Sequence, residues 1–457
     1  MTPSNDPRKE LSVLNATRSF VCLGLMLVAV LGSRAVAQEQ EEPRVIMHCG
    51  TLITRAGEPP LHRATIVLHE GRVEKVFEGI VPPPSALDDP NAPYRLIDLR
   101  DEWVIPGLID CHTHITGQYT RGVRLRRVVE SDADQAVMAT VYAERTLAAG
   151  FTTIRNVGSS GRAAFAVRDA INEGKIWGPR ILVAGESISP TGGHSDGTLG
   201  YREDLFDIPT TDDGIADGVA ACREAVRAQV KRGADLIKLT ATGGVLSNTA
   251  AGVEQQFFQD ELDAIVETGH LLGRKVAAHA HGATGIKAAL RAGVDSIEHG
   301  TFLDDECIEL FKETGAYLVP TIHAGKFVEN KSYEEGYFPP PVRRKAADVG
   351  PIIQGAFGRA YKAGVNIAFG TDVGVGEHGT NALEFVYMHE AGMTLEDCLK
   401  SATTSAADLC GLGDEVGAIE RGMRADIIAL GKDPLSDVTA YQDVRFVMTN
   451  GRVYRGR

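Results

Sequence analysis

Ile105-Pro106-Gly107-Leu108-Ile109-Asp110-Cys111-His112-Thr113-His114 is the stretch on which the reading of this chain turns. An apolar run passes through Pro-Gly and Leu-Ile and ends in two histidines spaced i, i+2. Residues i and i+2 of a strand face the same side. A strand here therefore carries two imidazoles on one face at its end, which is half of a metal site. A lone histidine on an apolar strand is more often a core residue, so the other strands have to decide. Cys111 lies between Asp110 and His112 and faces the opposite way, as a packed thiol rather than a ligand.

Downstream of this stretch the pattern is strand, helix, strand. Strand-like runs occupy residues 107–112, 152–157, 180–186, 236–240, 276–279, 296–299, 317–321 and 366–370. Helical stretches lie between them, at 134–149, 162–173, 214–232, 259–272, 283–292 and 304–314, several closed by a glycine suited to a helix C-terminus. This succession over residues 107–414 predicts a (β/α)8 TIM barrel; a doubly wound open sheet is the alternative. Upstream, residues 38–106 alternate short apolar runs with turns and contain little helix. Strand character returns over 415–457, with Thr449-Asn450-Gly451-Arg452 as a hairpin turn. The two flanking blocks are expected to meet as one small β-sandwich domain.

The N-terminus reads as a targeting segment. Arg8, Lys9 and Arg18 precede an apolar run over 20–31, and Ala35-Val36-Ala37 is followed by polar residues. That order describes a cleavable secretory signal over 1–37; the alternative is an uncleaved anchor, for which the run is short. The reading implies an exported protein, periplasmic or secreted, with no stable membrane span after cleavage. The chain has 457 residues, 43% hydrophobic and 24% charged, an ordinary globular balance. Its net charge of −14 argues against non-specific nucleic-acid binding. Cys49, Cys111, Cys222, Cys307, Cys398 and Cys410 are scattered with no CxxC pair, and the sequence does not pair them.

Catalytic residues of such a barrel sit at the C-terminal ends of its strands. Those ends carry His112 and His114, Lys238, His279, His299 and Asp372, at corresponding positions of different strands. Four imidazoles, a carboxylate and a lysine suit two divalent cations of the zinc type. An ammonium would repel cations. Inside an apolar strand, however, burial lowers the pKa of Lys238 and makes it nucleophilic. Reaction with CO2 then gives a carbamate, N6-carboxylysine, an anionic bridge.

This set resembles the binuclear metal branch of the amidohydrolase superfamily. The segment 106–114 looks like its strand-1 signature, and Met423-Arg424-Ala425-Asp426-Ile427-Ile428 with Asp433-Pro434-Leu435 looks like its C-terminal one. Thr191-Gly192-Gly193-His194 and the run 238–245 are similar to the imidazolonepropionase-related group, which holds Xaa-Pro dipeptidases and ochratoxin-type amide hydrolases. The resemblance implies that His112, His114 and Asp372 bind one metal and that His279 and His299 bind the other. Carbamylated Lys238 lies between the two. It also implies amide hydrolysis through a metal-activated hydroxide, with Asp372 as general base and acid, and a homo-oligomeric state.

For substrate contacts, His194 and His323 lie at the catalytic end, His281 is read as facing substrate, and Tyr119, Tyr201 and Arg202 are further candidates. His378 is read as a lid or surface residue, and 325–350 as an insertion after strand 7. The expected activity is that of a dipeptidase or carboxypeptidase cutting Xaa-Pro or related dipeptides and N-acyl amino acids. A cyclic-amide hydrolase and a catalytically silent metal-binding protein are the alternatives.

Overall fold

A computed structural model describes residues 42–247 and 252–456. The expected signal segment lies outside the described residues. Among them, no helix is long and apolar enough to cross a membrane.

Four strands open the described chain: β1 (Arg44–Leu52), β2 (Leu61–His69), β3 (Arg72–Glu78) and β4 (Tyr94–Pro106). β4 runs through Gly107 into the first barrel strand. The barrel strands are β5 (Leu108–Thr113), β6 (Phe151–Asn156), β7 (Arg180–Val183), β8 (Ile237–Thr240), β9 (Val276–Ala280), β10 (Ser296–His299), β11 (Tyr317–Val319) and β12 (Asn366–Ile367). They pair in parallel as β5-β6-β7 and β8-β9-β10-β11-β12. Two seams close the ring. Ile188 bridges Leu239 on one side. On the other, the backbone beyond β12 lies against β5, with Cys111 N donating to Phe369 O at 2.8 Å and Asp372 N to His112 O at 2.8 Å. The result is the expected eight-stranded (β/α)8 barrel.

Helices Asp132–Ala148, Ala163–Asn172, Gly218–Arg232, Gln259–Leu271, Ala283–Ala292 and Asp305–Thr314 stand where the sequence reading puts them. The first begins on a capping box, with the Ser131 side chain accepting from Asp134 N while the Asp134 side chain accepts from Ser131 N. Gly233 and Gly293 stop two others in the left-handed region, at φ 101° and 89°. The stretch read as an insertion is helical. Ile322–Ser332 and Pro340–Lys362 pack on each other, the latter opened by prolines in its first turn.

Three strands close the chain: β13 (Ile427–Leu430), β14 (Val444–Thr449) and β15 (Arg452–Arg455). With β1–β4 they form one seven-stranded sheet, ordered β15-β14-β13-β4-β1-β2-β3. Val73 N donates to Met423 O and Ala425 N to Gly71 O, which brings the β3 edge against the segment entering β13. The sheet is thus curled around one apolar core, including Met47, Ile66, Ile97, Val104, Ile427 and Phe446. That is the form taken by the expected sandwich.

Candidate metal centre

Strand alternation sends Cys111 outward, where its Sγ lies 3.9 Å from that of Cys410, and His112 inward. Around the barrel mouth, ligand-type atoms gather in two groups. His112, His114 and Asp372 form one, and His279, His281 and His299 the other; within each, the donor atoms lie within 4.8 Å of one another. Asp372 Oδ1 is 3.5 Å from His112 Nε2 and 3.3 Å from His114 Nε2. The His112 and His299 rings, one from each group, have centroids 5.0 Å apart. Lys238 lines the same cavity.

The outer nitrogen of each imidazole is held. His114 Nδ1 donates to Gly158 O at 2.9 Å, and His279 Nε2 lies 3.3 Å from Gly243 O. His281 Nδ1 is 2.8 Å from Thr301 Oγ1, and His299 Nδ1 is 2.7 Å from Thr321 Oγ1. His112 Nδ1 lies 2.7 Å from Glu298 Oε2. A ring N–H facing a carbonyl or carboxylate must donate, which leaves the other nitrogen with a lone pair for the cavity. Asp372 Oδ1 is buried and accepts no hydrogen bond in the structure. A buried carboxylate oxygen without a donor is costly, and a cation between it and the two imidazoles removes that cost.

The electrostatics point the same way. Burial, followed by the charge of Lys238, pulls His112 down to about 4. Burial pulls His281 down to about 3 and holds His279 and His299 well below the usual imidazole range. All four are therefore neutral near pH 7, the form that ligates metal. Burial lowers Lys238 to about 8. Burial also opposes ionisation of Asp372, but His112 and His114 outweigh it and hold the carboxyl below its ordinary value. The donor set fits divalent cations.

The cavity has an empty volume of about 670 Å³. One wall is apolar, built from Val245, Val328, Val349, Ile353 and Val375. A polar cavity containing Arg124, Arg127 and Glu186 adjoins it and shares His114, Ser187 and His194.

Among the sequence candidates, His194 stacks on His279 with centroids 4.1 Å apart and lines both cavities. His281 joins the second ligand group. His323 sits in the first turn of its helix, 2.9 Å from Thr380 Oγ1, and does not line the cavity. Tyr201 lines the polar cavity and donates to Arg124 O. Tyr119 packs with Tyr337 and Phe338 instead. Arg202 is not brought to the site: its guanidinium pairs with Asp204 in solvent. His378 is neither lid nor surface. It is buried, donates to Gly117 O and stacks on Tyr142.

Two residues escaped the sequence reading, Glu298 and Arg155, both fully buried among barrel strands. Their signal was present in the sequence as opposite charges inside apolar strand runs, which burial obliges to pair.

The amidohydrolase family model matches residues 103–454. The chain belongs to the amidohydrolase family. It is therefore a hydrolase, and its two clusters of ligand-type residues are candidate metal-binding groups. A crystal structure of an Xaa-Pro dipeptidase with methionine bound in its active site is 44% identical. It superposes with a TM-score of 0.86, over 90% of this chain and 100% of that one. The ochratoxinase of Aspergillus niger is 33% identical, in an alignment that covers 92% of this amidohydrolase and 88% of the ochratoxinase. An imidazolonepropionase of Rhizobium rhizogenes is 24% identical over 88% of this chain and 94% of its own length.

Proposed function

We propose that this amidohydrolase is a binuclear zinc enzyme that cuts the amide before a C-terminal residue, with Xaa-Pro and related dipeptides and N-acyl amino acids as substrates. The observation that carries the reading is the pair of ligand groups facing one cavity with Lys238 in it. His112, His114 and Asp372 would hold one cation, and His279 and His299 the other. Lys238 Nζ would add to CO2 and release a proton, and the resulting carbamate would be an anionic donor for the cations. Bound cations would supply Lewis acidity there, for acidifying water and polarising the amide carbonyl.

Asp372 takes the proton of the attacking water on its carboxylate and delivers it to the leaving nitrogen. His281 keeps Nε2 free toward the substrate, because Thr301 holds Nδ1. The apolar wall excludes water and receives the side chain of the departing residue. Such a wall suits proline or methionine, in keeping with the methionine seen in the Xaa-Pro dipeptidase.

A zinc-loaded preparation tested on dipeptides, N-acyl amino acids and cyclic amides decides the matter. Release of apolar C-terminal residues is expected. Turnover of cyclic amides alone overturns the reading, as does two bound metals with no turnover of any kind. Lys238→Ala should lose both activity and metal; a variant that keeps both removes the carbamate. The reading retains export and homo-oligomerisation. These are tested by the N-terminal residue of the periplasmic or secreted protein, with Gln38 expected, and by its mass in solution.

A further inference from the structure

The residues that hold the candidate ligands in place are as informative as the ligands. Glu298 and Arg155 form a buried ion pair, Arg155 Nη2 donating to Glu298 Oε1 at 2.7 Å with both side chains essentially inaccessible. The interior of such a barrel is ordinarily filled with branched apolar side chains. An ion pair there repays its desolvation poorly, and apolar replacements are often at least as stable. Stability alone therefore gives little reason for it.

Its hydrogen bonds suggest another. The second carboxylate oxygen, Oε2, is 2.7 Å from His112 Nδ1. Arg155 Nε donates to the carbonyl of Cys111, the residue before His112, at 2.5 Å. Ser296 donates to Oε1 at 2.5 Å and so fixes the carboxylate from its own strand. Glu298 also precedes His299, whose φ of 75° breaks the alternation of β10 and lets neighbouring residues both face the barrel interior. One carboxylate thus touches one ligand group through its side chain and adjoins the other through its backbone.

We propose that Glu298, oriented by Arg155, is the positioning residue of this centre. It keeps the proton of His112 on Nδ1, so that Nε2 faces the cavity as a preset ligand. Metal-bound histidines are commonly fixed in this way, and loss of the outer carboxylate typically weakens metal affinity about 10- to 100-fold. Arg155 makes no contact with metal in this scheme; it stops the Glu298 carboxylate from rotating away. The inference rests on the metal-dependent reading above.

The test is metal affinity of the full chain, measured by chelator competition with zinc and no substrate. Glu298→Gln should bind zinc about 10- to 100-fold more weakly than the unaltered chain. In a His112→Ala background the same substitution should change nothing further, whereas in a His279→Ala background it should still cost its full factor. A purely structural role would weaken all backgrounds alike, and that result overturns the inference, as does unaltered affinity in Glu298→Gln. If the single substitution prevents folding, the doubly neutral Arg155→Met/Glu298→Met chain removes both charges. It should keep the metal-free melting temperature within a few degrees and lose affinity. Full affinity in that variant also overturns the proposal. Failure of the underlying reading looks different: the unaltered chain itself binds no zinc.

Discussion

Three residues at this centre adopt a left-handed backbone that only glycine occupies freely: His299 at φ 75°, Thr321 at 53° and Asp372 at 58°. Such conformations cost about 1–3 kcal/mol each and persist where surrounding contacts fix them. For Thr321 the contacts are visible. Its Oγ1 meets His299 Nδ1 and donates to Pro320 O. The two amides that follow, Ile322 N and His323 N, donate to the buried Glu384 carboxyl at 2.9 and 2.6 Å. Burial pushes Glu384 up to about 8 from an ordinary 4.5, against the pull of those two amides. The folded chain therefore keeps a proton that the unfolded chain releases above about 4.5, so this group's contribution to stability declines as pH rises from there toward 8. Glu384→Gln does not titrate. Its melting temperature should fall less than that of the unaltered chain between pH 5 and pH 8, as followed by calorimetry, and identical slopes would show that Glu384 is ionised throughout.

The pair of helices that carries the apolar wall shows where local pattern ends and packing begins. Asp132–Ala148 was legible, over 134–149, because Gly150 closes it ahead of the next strand, while the Ser131–Asp134 capping box that sets its start is seen only in the structure. Pro340–Lys362 was not, because Gly350-Pro351 in its middle reads as a breaker. Its helix is sustained by one buried face, Val342, Ala346, Val349, Ile353 and Phe357. Gly350 also permits a close approach to the neighbouring helix: a Cβ there would lie 2.3 Å from the Glu329 Cβ and 2.9 Å from the Gly325 carbonyl oxygen. Gly350→Ala should therefore force the helices apart and destabilise the fold by about 1–3 kcal/mol, the usual cost of overpacking. Val349 and Val328 lie on those two helices and line the cavity. The same substitution should accordingly raise KM for apolar C-terminal residues more than it lowers kcat, measured on a leucine or proline dipeptide series.

At the scale of the whole molecule, the barrel was legible because its strands and helices repeat with punctuation, and the clustering of the candidate ligands because such residues recur at strand ends. The walls of the cavity were not, since Val245, Val328 and Val375 come from separate loops and helices that only closure of the ring brings together. Closure also links the two parts of the fold. Arg180, on barrel strand β7, donates to Asp426 Oδ2 at 2.7 Å, and the other oxygen of Asp426 accepts from Asn450 N in the curled sheet. Each candidate ligand group joins residues from two neighbouring strand ends far apart in sequence or separated by a helix, β5 with the backbone beyond β12 and β9 with β10, so the groups exist only in the folded chain, and a cation that binds them stabilises that state alone. At a free concentration one hundred times its dissociation constant, a single such ion adds about 2.7 kcal/mol. Exhaustive chelation should therefore abolish hydrolysis and lower the melting temperature together, and added zinc should restore both, with the melting temperature rising as zinc is increased. Asp372→Asn weakens one group's only carboxylate and should blunt that rise even where turnover is already lost. A melting temperature indifferent to chelation and to zinc would mean that neither group holds an ion in the folded chain.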